Sequence, residues 1–326
     1  MDDLPRIRVN MANVAGGRLT DPSGPNGYAP GDRTDVFADA VSVGRPHVIV
    51  LSELDCGPES RQIERLSARA LGTTGVHTAK ESWSDSHVPG VERLGLGIAS
   101  CFPLHDVQRI DLPKPPFELL FWNSGARLPW HDKGLLVARC EAPGGDVHIV
   151  AAQLHPLHIG RTPDGALHSY DHGAGREFGL RISEFIAERL AALGVRRMIL
   201  AGDLNMPDPR ALFSRLGDIA LVDVFGPGAP PATTPDGRSI DRAFVSEELR
   251  PLAHQVIPVP GADHFVVSFE VEDGRRRAAD AQTLARSLGD APAMSPDHLT
   301  SARGHAPSAR RPVTSPSPAR PRPRGR

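Results

Sequence analysis

Residues 197–205 read Arg-Met-Ile-Leu-Ala-Gly-Asp-Leu-Asn and are the most informative stretch of this 326-residue chain. The apolar run at 198–201 predicts a buried strand. Gly202 then lets the backbone turn sharply, and Asp203 and Asn205 follow where both side chains could face the same side. The stretch alone also fits an ordinary turn, because Gly, Asp and Asn are common turn residues.

Further segments share this design, in which an Asn, Asp, Glu or His stands next to an apolar, strand-like run. Ends of strands are where a rigid scaffold presents side chains to a shared cleft. Each such residue alone is explained equally well as a turn or surface residue. Their order, spacing and strand context together are harder to attribute to chance. The segments contain Asn13, Glu53, His155, Asp241 and the pair Asp263-His264.

The apolar patterns predict an α/β fold with strands that outnumber the helices. Mixed strands with few helices indicate two packed sheets with helices outside. Helices are predicted at 35–43, 62–71 and 178–193, the last one ending before Gly194. Strands are predicted at 6–14, 48–53, 94–100, 134–140, 146–154, 197–201, 239–245 and 264–271.

The overall composition suits a globular protein, with 40% hydrophobic residues. No stretch approaches the roughly 18 apolar residues of a transmembrane helix. Residues 1–6, Met-Asp-Asp-Leu-Pro-Arg, lack the apolar segment of a secretory signal. The cysteines Cys56, Cys101 and Cys140 have no metal-ligand spacing and fit reduced thiols. We therefore expect a cytoplasmic protein.

The net charge of −2 hides an asymmetry that divides the chain in two. Residues 273–326 carry eleven Arg and four Asp, which gives +7 and leaves −9 for residues 1–272. The last segment is rich in Arg, Pro, Ser and Ala and predicts a mostly disordered tail, with a short helix near 278–288. Residues 1–272 are predicted to form the catalytic domain. Its acidic charge is unlike that of a tight, non-specific DNA binder, although the basic tail could contact acidic partners.

The polar segments next to the predicted strands, taken in their order along residues 6–271, resemble those of the endonuclease/exonuclease/phosphatase superfamily. That superfamily has a deoxyribonuclease-I-like fold. The resemblance implies a four-layer α/β/β/α sandwich of two mixed β-sheets flanked by helices. It also implies a hydrolase that cleaves phosphoester bonds with Mg²⁺ or Mn²⁺. Such a reaction needs a hard cation with oxygen ligands, an oriented water and donors for the charge of the transition state.

The resemblance assigns the metal ion to Glu53 and Asp263, with support from Asn13. The chain departs from the usual family pattern beside both ligands. Ser52 stands where the family usually has Gln before the Glu, and Ala262 stands where it usually has Ser before the Asp. The first change could remove a hydrogen bond that supports the ligand.

The resemblance also assigns the catalytic groups. His264 would be the general base that activates water, oriented by Asp241 of the Ile-Asp-Arg segment at 240–242. Asp203 would align the water or stabilise the developing charge. Asn205 would donate to a phosphoryl oxygen, and His155 would serve as a general acid or phosphate donor.

The segment 153–156, Gln-Leu-His-Pro, leaves its register open. Alignment with the Asn-Thr-His-Leu of many members puts Gln153 at the family histidine, whereas the Ala-Leu-His-Ser of the deoxyribonuclease-I branch puts His155 there. We favour His155 because an imidazole supplies the chemistry. Glu92, in the Glu-Arg pair before the strand at 94–100, is then predicted to orient His155, although a surface salt bridge explains Glu92 equally well.

The substrate is less well defined than the reaction. We expect a nuclease-type phosphodiesterase. The alternatives are a phosphomonoesterase acting on a small metabolite or lipid head group, and a non-catalytic nucleic-acid-binding module. The intact set of candidate residues argues against the last alternative. Lys133 could contact phosphate, and the aromatic residues of the loop at 113–132 could form a wall or serve only in packing.

Overall fold

Two mixed β-sheets and the helices that flank them make up the computed structural model, which describes residues 6–121 and 125–274. All described residues belong to the compact unit Met1–Ala281. The predicted tail beyond residue 274, including the helix near 278–288, lies outside the described residues. No described helix is long and apolar enough to cross a membrane.

Short and medium-length strands account for most of the regular structure. They are β1 (Arg6–Asn13), β2 (Val48–Asp55), β3 (His77–Asp85), β4 (Arg93–Ser100), β5 (Leu104–Asp111), β6 (Leu120–Phe121), β7 (Gly134–Cys140), β8 (Val147–Gln153), β9 (Gly160–Arg161), β10 (Met198–Asp203), β11 (Arg215–Leu216), β12 (Ile219–Asp223), β13 (Asp241–Ser246), β14 (Leu249–Ile257) and β15 (Val266–Asp273). The α-helices are α1 (Thr34–Val41), α2 (Gln62–Leu71), α3 (Gly173–Ala192) and α4 (Arg210–Phe213).

The strand order places a parallel pair inside each sheet. The first sheet has six strands in the order β14-β15-β1-β2-β4-β3, and the second has seven in the order β11-β12-β13-β10-β8-β7-β5. Strands β1 and β2 are parallel, and so are β8 and β10, whereas the other pairings in these sheets are antiparallel. The pair β6 and β9 forms a separate two-stranded sheet.

The inner strands are apolar on both faces because each face is covered. Val48 and Val50 of β2 pack in the core between the sheets. Ile49 and Leu51 of the same strand pack in the cluster that includes α1 and α2. Strand β10 follows the same rule, with its outward residues packed in the cluster that includes α3. This arrangement confirms the predicted four-layer α/β/β/α sandwich and explains the continuous apolar runs in the sequence.

Two of the differences between the structure and the sequence prediction have clear local causes. Helix α3 begins at Gly173 rather than 178, since the Gly-Ala-Gly-Arg-Glu of its first turn has no large apolar residue to reveal it. Strand β14 was not predicted, because it is an edge strand with a bulge between Pro251 and Ala253 and mostly half-buried or exposed residues. Proline and weak apolar alternation are both features of sheet edges.

Gly202, the penultimate residue of β10, is required by its surroundings. Its φ is +149°, and a Cβ atom there would lie 2.0 Å from the carbonyl oxygen of Ala152 on the neighbouring strand. Both features exclude a side chain. The close approach of β8 and β10 at this point sets the spacing of the residues that follow each strand.

We predict that Gly202→Ala destabilises the protein by roughly 2–4 kcal/mol, since a disfavoured φ and a steric overlap each cost about 1–3 kcal/mol. Urea unfolding followed by circular dichroism measures the change. Gly228→Ala is the control, because a Cβ there meets nothing within 4 Å. Its effect should stay within about 0.5 kcal/mol. Equal effects of the two substitutions would contradict the steric explanation.

Candidate active site

The carboxyl ends of the two parallel strand pairs meet at one rim of the sandwich. Asn13 ends β1, and its Nδ2 donates to Oδ2 of Asp203, at the end of β10, over 3.2 Å. Gln153 ends β8, and its Nε2 donates to Oε1 of Glu53 in β2 over 2.8 Å. Each hydrogen bond joins one sheet to the other. The polar strand ends predicted from the sequence therefore converge.

Glu53 owes its orientation to a β-bulge. The pairing of β2 with β4 shifts between Ser52 and Leu54, and Glu53 has a left-handed φ of +50°. Bulges re-aim side chains and are frequent beside active sites. Burial raises the pKa of Glu53, but the charge of Lys133 and further positive charges outweigh burial and lower it. Glu53 is therefore an ionised carboxylate with only 12% of its side chain exposed.

A tight turn after β10 fixes the Gly-Asp-Leu-Asn segment. Asn205 has a φ of +52°, and its backbone N–H donates to Oδ1 of Asp203 over 3.0 Å. The Asn205 Nδ2 donates to the carbonyl oxygen of Leu154 over 3.0 Å. These bonds tie the turn to the end of β8. The positive φ is tolerated because Asn is one of the few residues that adopts this conformation readily.

Asp241 and His264 form a hydrogen-bonded pair. The Nδ1 of His264 lies 2.8 Å from Oδ2 of Asp241. Buried Thr233 anchors Asp241 and the residue that follows His264. Its Oγ1 accepts from the backbone N–H of Asp241, and its carbonyl oxygen accepts from the backbone N–H of Phe265. The Nε2 of His264 is 3.5 Å from Nδ2 of Asn13. The pair therefore sits against the Asn13–Asp203 hydrogen bond.

The charges in this cluster are strongly coupled. Burial alone would lower the pKa of His264, but the charge and hydrogen bond of Asp241, followed by other carboxylates, raise it well above 6.5. Burial raises the pKa of Asp203 to about 7 against the opposing charge of His264. These charges favour the protonated form of His264. It is surrounded by more negative than positive charge, since Glu53 and Asp263 also lie nearby.

Two residues outside the predicted set complete this environment. Lys133 is buried, and its Nζ lies 3.9 Å from Oε1 of Glu53. Burial lowers the pKa of Lys133, while the charges of Glu53 and Asp203 oppose that shift. The hydroxyl of Tyr28 donates to Oδ2 of Asp263 over 3.3 Å. The sequence named Lys133 only as a phosphate contact and gave no signal for Tyr28.

Asp263 keeps one oxygen without a hydrogen-bond partner. Its Oδ1 is buried and receives no hydrogen bond from the described residues. Burial raises the pKa of Asp263, although the charge of His264 opposes this. A buried carboxylate oxygen without a partner is costly. Such an oxygen is available to a cation.

His155 is packed among aromatic rings rather than among the carboxylates. Its ring contacts Trp130 and Phe178 edge-on, at centroid distances of 5.8 and 6.0 Å. Burial, followed by the charges of lysines, lowers its pKa to about 3, so the ring is neutral. Gln153, which the prediction ranked second, makes the contact with Glu53 instead. His155 still lines the same cleft, with its buried Nε2 unpartnered among the described residues.

Glu92 does not reach His155. It is exposed at the end of a loop before β4, and no hydrogen bond between the two is found within residues 6–121 and 125–274. The ring of His155 is instead held by its aromatic neighbours and by a hydrogen bond with the backbone of His131. The prediction that Glu92 orients His155 therefore has no support in the described contacts. A Glu-Arg pair next to a strand was too weak a signal to locate that partner.

A cleft of about 800 Å³ opens above these groups. Glu53, Asp203 and His264 line it, together with a wall of Phe121, Leu128, Trp130 and Ile159. The wall comes from the segment between β5 and β7 and from the segment around β9. Backbone pairing of β6 with β9 joins these two segments. The aromatic loop thus serves both packing and the lining of the cleft.

Several of these groups could hold a metal ion. One ligand atom from each of Asp203, Asp241 and His264 lies within 4.8 Å of the others. Glu53 and Asp263 offer further carboxylate oxygens in the same region. The combination of carboxylates with few nitrogen donors suits a hard divalent cation.

Comparison with known proteins agrees with this architecture. A sequence model of the Endonuclease/Exonuclease/phosphatase family matches residues 12–268. The structure resembles an endonuclease/exonuclease/phosphatase from Beutenbergia cavernae DSM 12333, with a TM-score of 0.56 and 22% identity over 83% of this chain and 72% of that chain. No curated protein sequence matches the chain.

Two solved structures with named activities or ligands are also similar. The human Nocturnin catalytic domain with bound sulfate anion has a TM-score of 0.54 and 15% identity over 82% of this chain and 94% of its own. ANGEL2, a 2′,3′-cyclic phosphatase, has a TM-score of 0.57 and 12% identity over 84% of this chain and 97% of its own. At such identities these likenesses show a common fold.

We predict that Asp241→Asn lowers the pKa of His264 by about one unit or more, because a neighbouring opposite charge is lost while burial remains. An NMR titration of the histidine ring in EDTA measures the shift. The pKa of His264 is higher in the folded protein than in the unfolded chain, where it is about 6.5, so protonation of His264 stabilises the fold. This contribution is complete below about pH 6.5 and is lost as the pH rises through the folded pKa. The free energy of unfolding of the variant should therefore fall furthest below that of the wild type between about pH 5 and 6.5. An unchanged pKa would contradict the pairing.

Proposed function

The chain belongs to the endonuclease/exonuclease/phosphatase family, and on that premise we propose that it hydrolyses a phosphodiester bond with a divalent metal ion and a water that His264 activates. The observation that carries the proposal is the Asp241–His264 pair, with 2.8 Å between the two side chains, set beside Asp203 in a cleft. The pair holds Nδ1 of His264, a residue that lines the cleft, while Nε2 lies 3.5 Å from Nδ2 of Asn13. This is the geometry that a general base needs.

We propose that Glu53 and Asp263 hold the cation, with Asn13 supporting the site. The buried, unpartnered Oδ1 of Asp263 and the ionised Glu53 fit a hard cation such as Mg²⁺ or Mn²⁺. When bound, such an ion neutralises charge on the phosphoryl oxygens and offsets the carboxylates that raise the pKa of His264. The cluster of Asp203, Asp241 and His264 is the competing location. It is less favourable because the hydrogen bond to Asp241 occupies Nδ1 of His264.

The protein groups then divide the work on the substrate. Nε2 of His264 takes the proton of the attacking water, and Asp241 stabilises the imidazolium that forms. Asp203, held by Asn13 and by the backbone of Asn205, aligns that water. The buried ammonium of Lys133 is placed to offset charge on the phosphoryl group.

Two further residues have supporting roles in the proposal. Gln153 fixes the carboxylate of Glu53 through their 2.8 Å hydrogen bond. His155 is neutral and its other ring nitrogen is bonded to the backbone of His131, so its unpartnered Nε2 is available on the cleft wall as a hydrogen-bond acceptor.

A phosphomonoesterase acting on a small molecule is the second candidate. The cleft of about 800 Å³ is the size of a small-molecule site, and aromatic and aliphatic side chains form one wall. The charge of −9 on residues 1–272 also disfavours an extended nucleic-acid contact. A non-catalytic binding role is disfavoured by the convergence of the acid, amide and imidazole groups. A cytoplasmic location and a binding role for the tail stay predictions.

We predict that His264→Ala lowers kcat by about 10²-fold or more, as loss of a general base does. The assay is hydrolysis of bis-p-nitrophenyl phosphate with Mg²⁺ or Mn²⁺. His77→Ala is the matched control, because His77 is exposed on the edge strand β3. Near-normal turnover by a folded His264→Ala protein would refute the proposed base.

The same assay extended to a substrate panel separates the two candidate functions. Plasmid DNA, single-stranded RNA, inositol phosphates, sphingomyelin and p-nitrophenyl phosphate are compared with the diester at equal concentrations. Faster turnover of diesters supports the phosphodiesterase. Turnover confined to monoesters would replace it with the phosphatase, and no metal-dependent turnover of any substrate would reject both.

We predict that Asp263→Asn weakens Mn²⁺ binding by at least about tenfold, a loss that even indirect partners of metal ligands produce. Electron paramagnetic resonance of free Mn²⁺ measures the affinity. Asp218→Asn changes an exposed aspartate and serves as the control. A larger loss of Mn²⁺ affinity in Asp241→Asn than in Asp263→Asn would assign the ion to the cluster of Asp203, Asp241 and His264.

A further inference from the structure

His87 and His131 face each other at the cleft. His87 follows β3 of the first sheet, and His131 precedes β7 of the second, so the two rings come from opposite sheets. Their centroids are 5.7 Å apart, and their planes are inclined by 42°. Both residues line the cleft that contains Glu53 and His264. Neither imidazole has a role in the proposed hydrolysis.

The separation of the rings matches two imidazoles on one cation. A metal–nitrogen bond of about 2.0–2.1 Å puts the ring centre about 3.2 Å from the metal, so two ligating rings have centres about 5–6.5 Å apart. The observed 5.7 Å lies within that range.

The ring nitrogens of this pair are not committed to other protein groups. Among the hydrogen bonds of residues 6–121 and 125–274, none involves a side-chain nitrogen of His87 or His131, whereas the comparable His264 is bonded to Asp241. Burial, followed by the charge of His87 and then that of Lys133, lowers the pKa of His131. This shift favours the uncharged ring, whose lone pair can bind a ligand.

The surrounding charges tolerate a cation at this position. The carboxylate of Glu53 acts electrostatically on both imidazoles. The positive charge of Lys133 also acts on His131, and its ammonium lies 3.9 Å from Oε1 of Glu53. Tyr28 covers the other side of His87, with ring centroids 6.1 Å apart, and brings no charge.

We propose that His87 and His131 bind one transition-metal ion, such as Zn²⁺ or Co²⁺, beside the carboxylate of Glu53. Imidazole nitrogens select such ions over Mg²⁺, which prefers oxygen ligands. Two protein ligands leave further coordination positions open to water or to an anionic group of a bound molecule. The site therefore adds a second means of holding a charged ligand in the cleft.

The experiment is a titration of the tag-free, full-length protein with Co²⁺ in saturating Mg²⁺, which occupies the oxygen-donor site first. Visible absorption reports imidazole coordination, and calorimetry with Zn²⁺ gives the stoichiometry and affinity. We expect one equivalent to bind in the wild type. His87→Ala and His131→Ala should each weaken it by at least about tenfold, and His77→Ala should leave it unchanged.

NMR spectra of the histidine rings supply a second readout. Paramagnetic Co²⁺ should broaden the ring signals of His87 and His131 before that of His264. Wild-type affinity in both alanine variants, or first broadening of His264, would overturn the proposal and assign the ion to the central cluster. Both readouts measure binding, so the result is independent of whether the protein hydrolyses a phosphodiester.

Discussion

The hydrogen bond from Asn13 to Asp203 is the contact on which the site depends, because it joins the ends of β1 and β10 across the two sheets. A parallel pair inside each sheet brings its carboxyl ends to one rim, and the Gln153–Glu53 bond joins the sheets there a second time. Residues almost two hundred positions apart in the sequence thereby share one cleft. The chemistry needs this convergence, whereas the sandwich core could form without it.

The convergence of these groups strains the backbone and buries charged groups close to one another. Glu53 and Asn205 adopt left-handed conformations, and Gly202 tolerates no side chain. The carboxyl group of Asp203 is so buried that its pKa is about 7. Strained, mutually repelling groups lower stability, and they persist only where surrounding structure over-determines them. Here the packed strands of both sheets supply that constraint, so stability and function draw on the same contacts.

The sequence predicted the parts of the site that follow from strand ends. Asp203, Asp241 and His264 each adjoin an apolar run, and their convergence required only the strand pattern and the order of the motifs. Gln153 and His155 show the limit, because the sequence pattern cannot decide which of the two contacts Glu53. Gln153 makes that contact, and the ring of His155 packs against Trp130. Tyr28 and Thr233 act through hydrogen bonds from loops, which leave no local sequence pattern.

The strand ends carry the groups proposed for the reaction, whereas the loops line the part of the cleft proposed to contact the substrate. Strand ends fix Glu53, Asp203 and the turn that follows, so their geometry is insensitive to loop sequence. Trp130 of the wall and the ring of His131 beside it come from the long connection between β5 and β7, which lies outside the two large sheets. Because a fold does not by itself specify a substrate, the leaving group must be read from this connection.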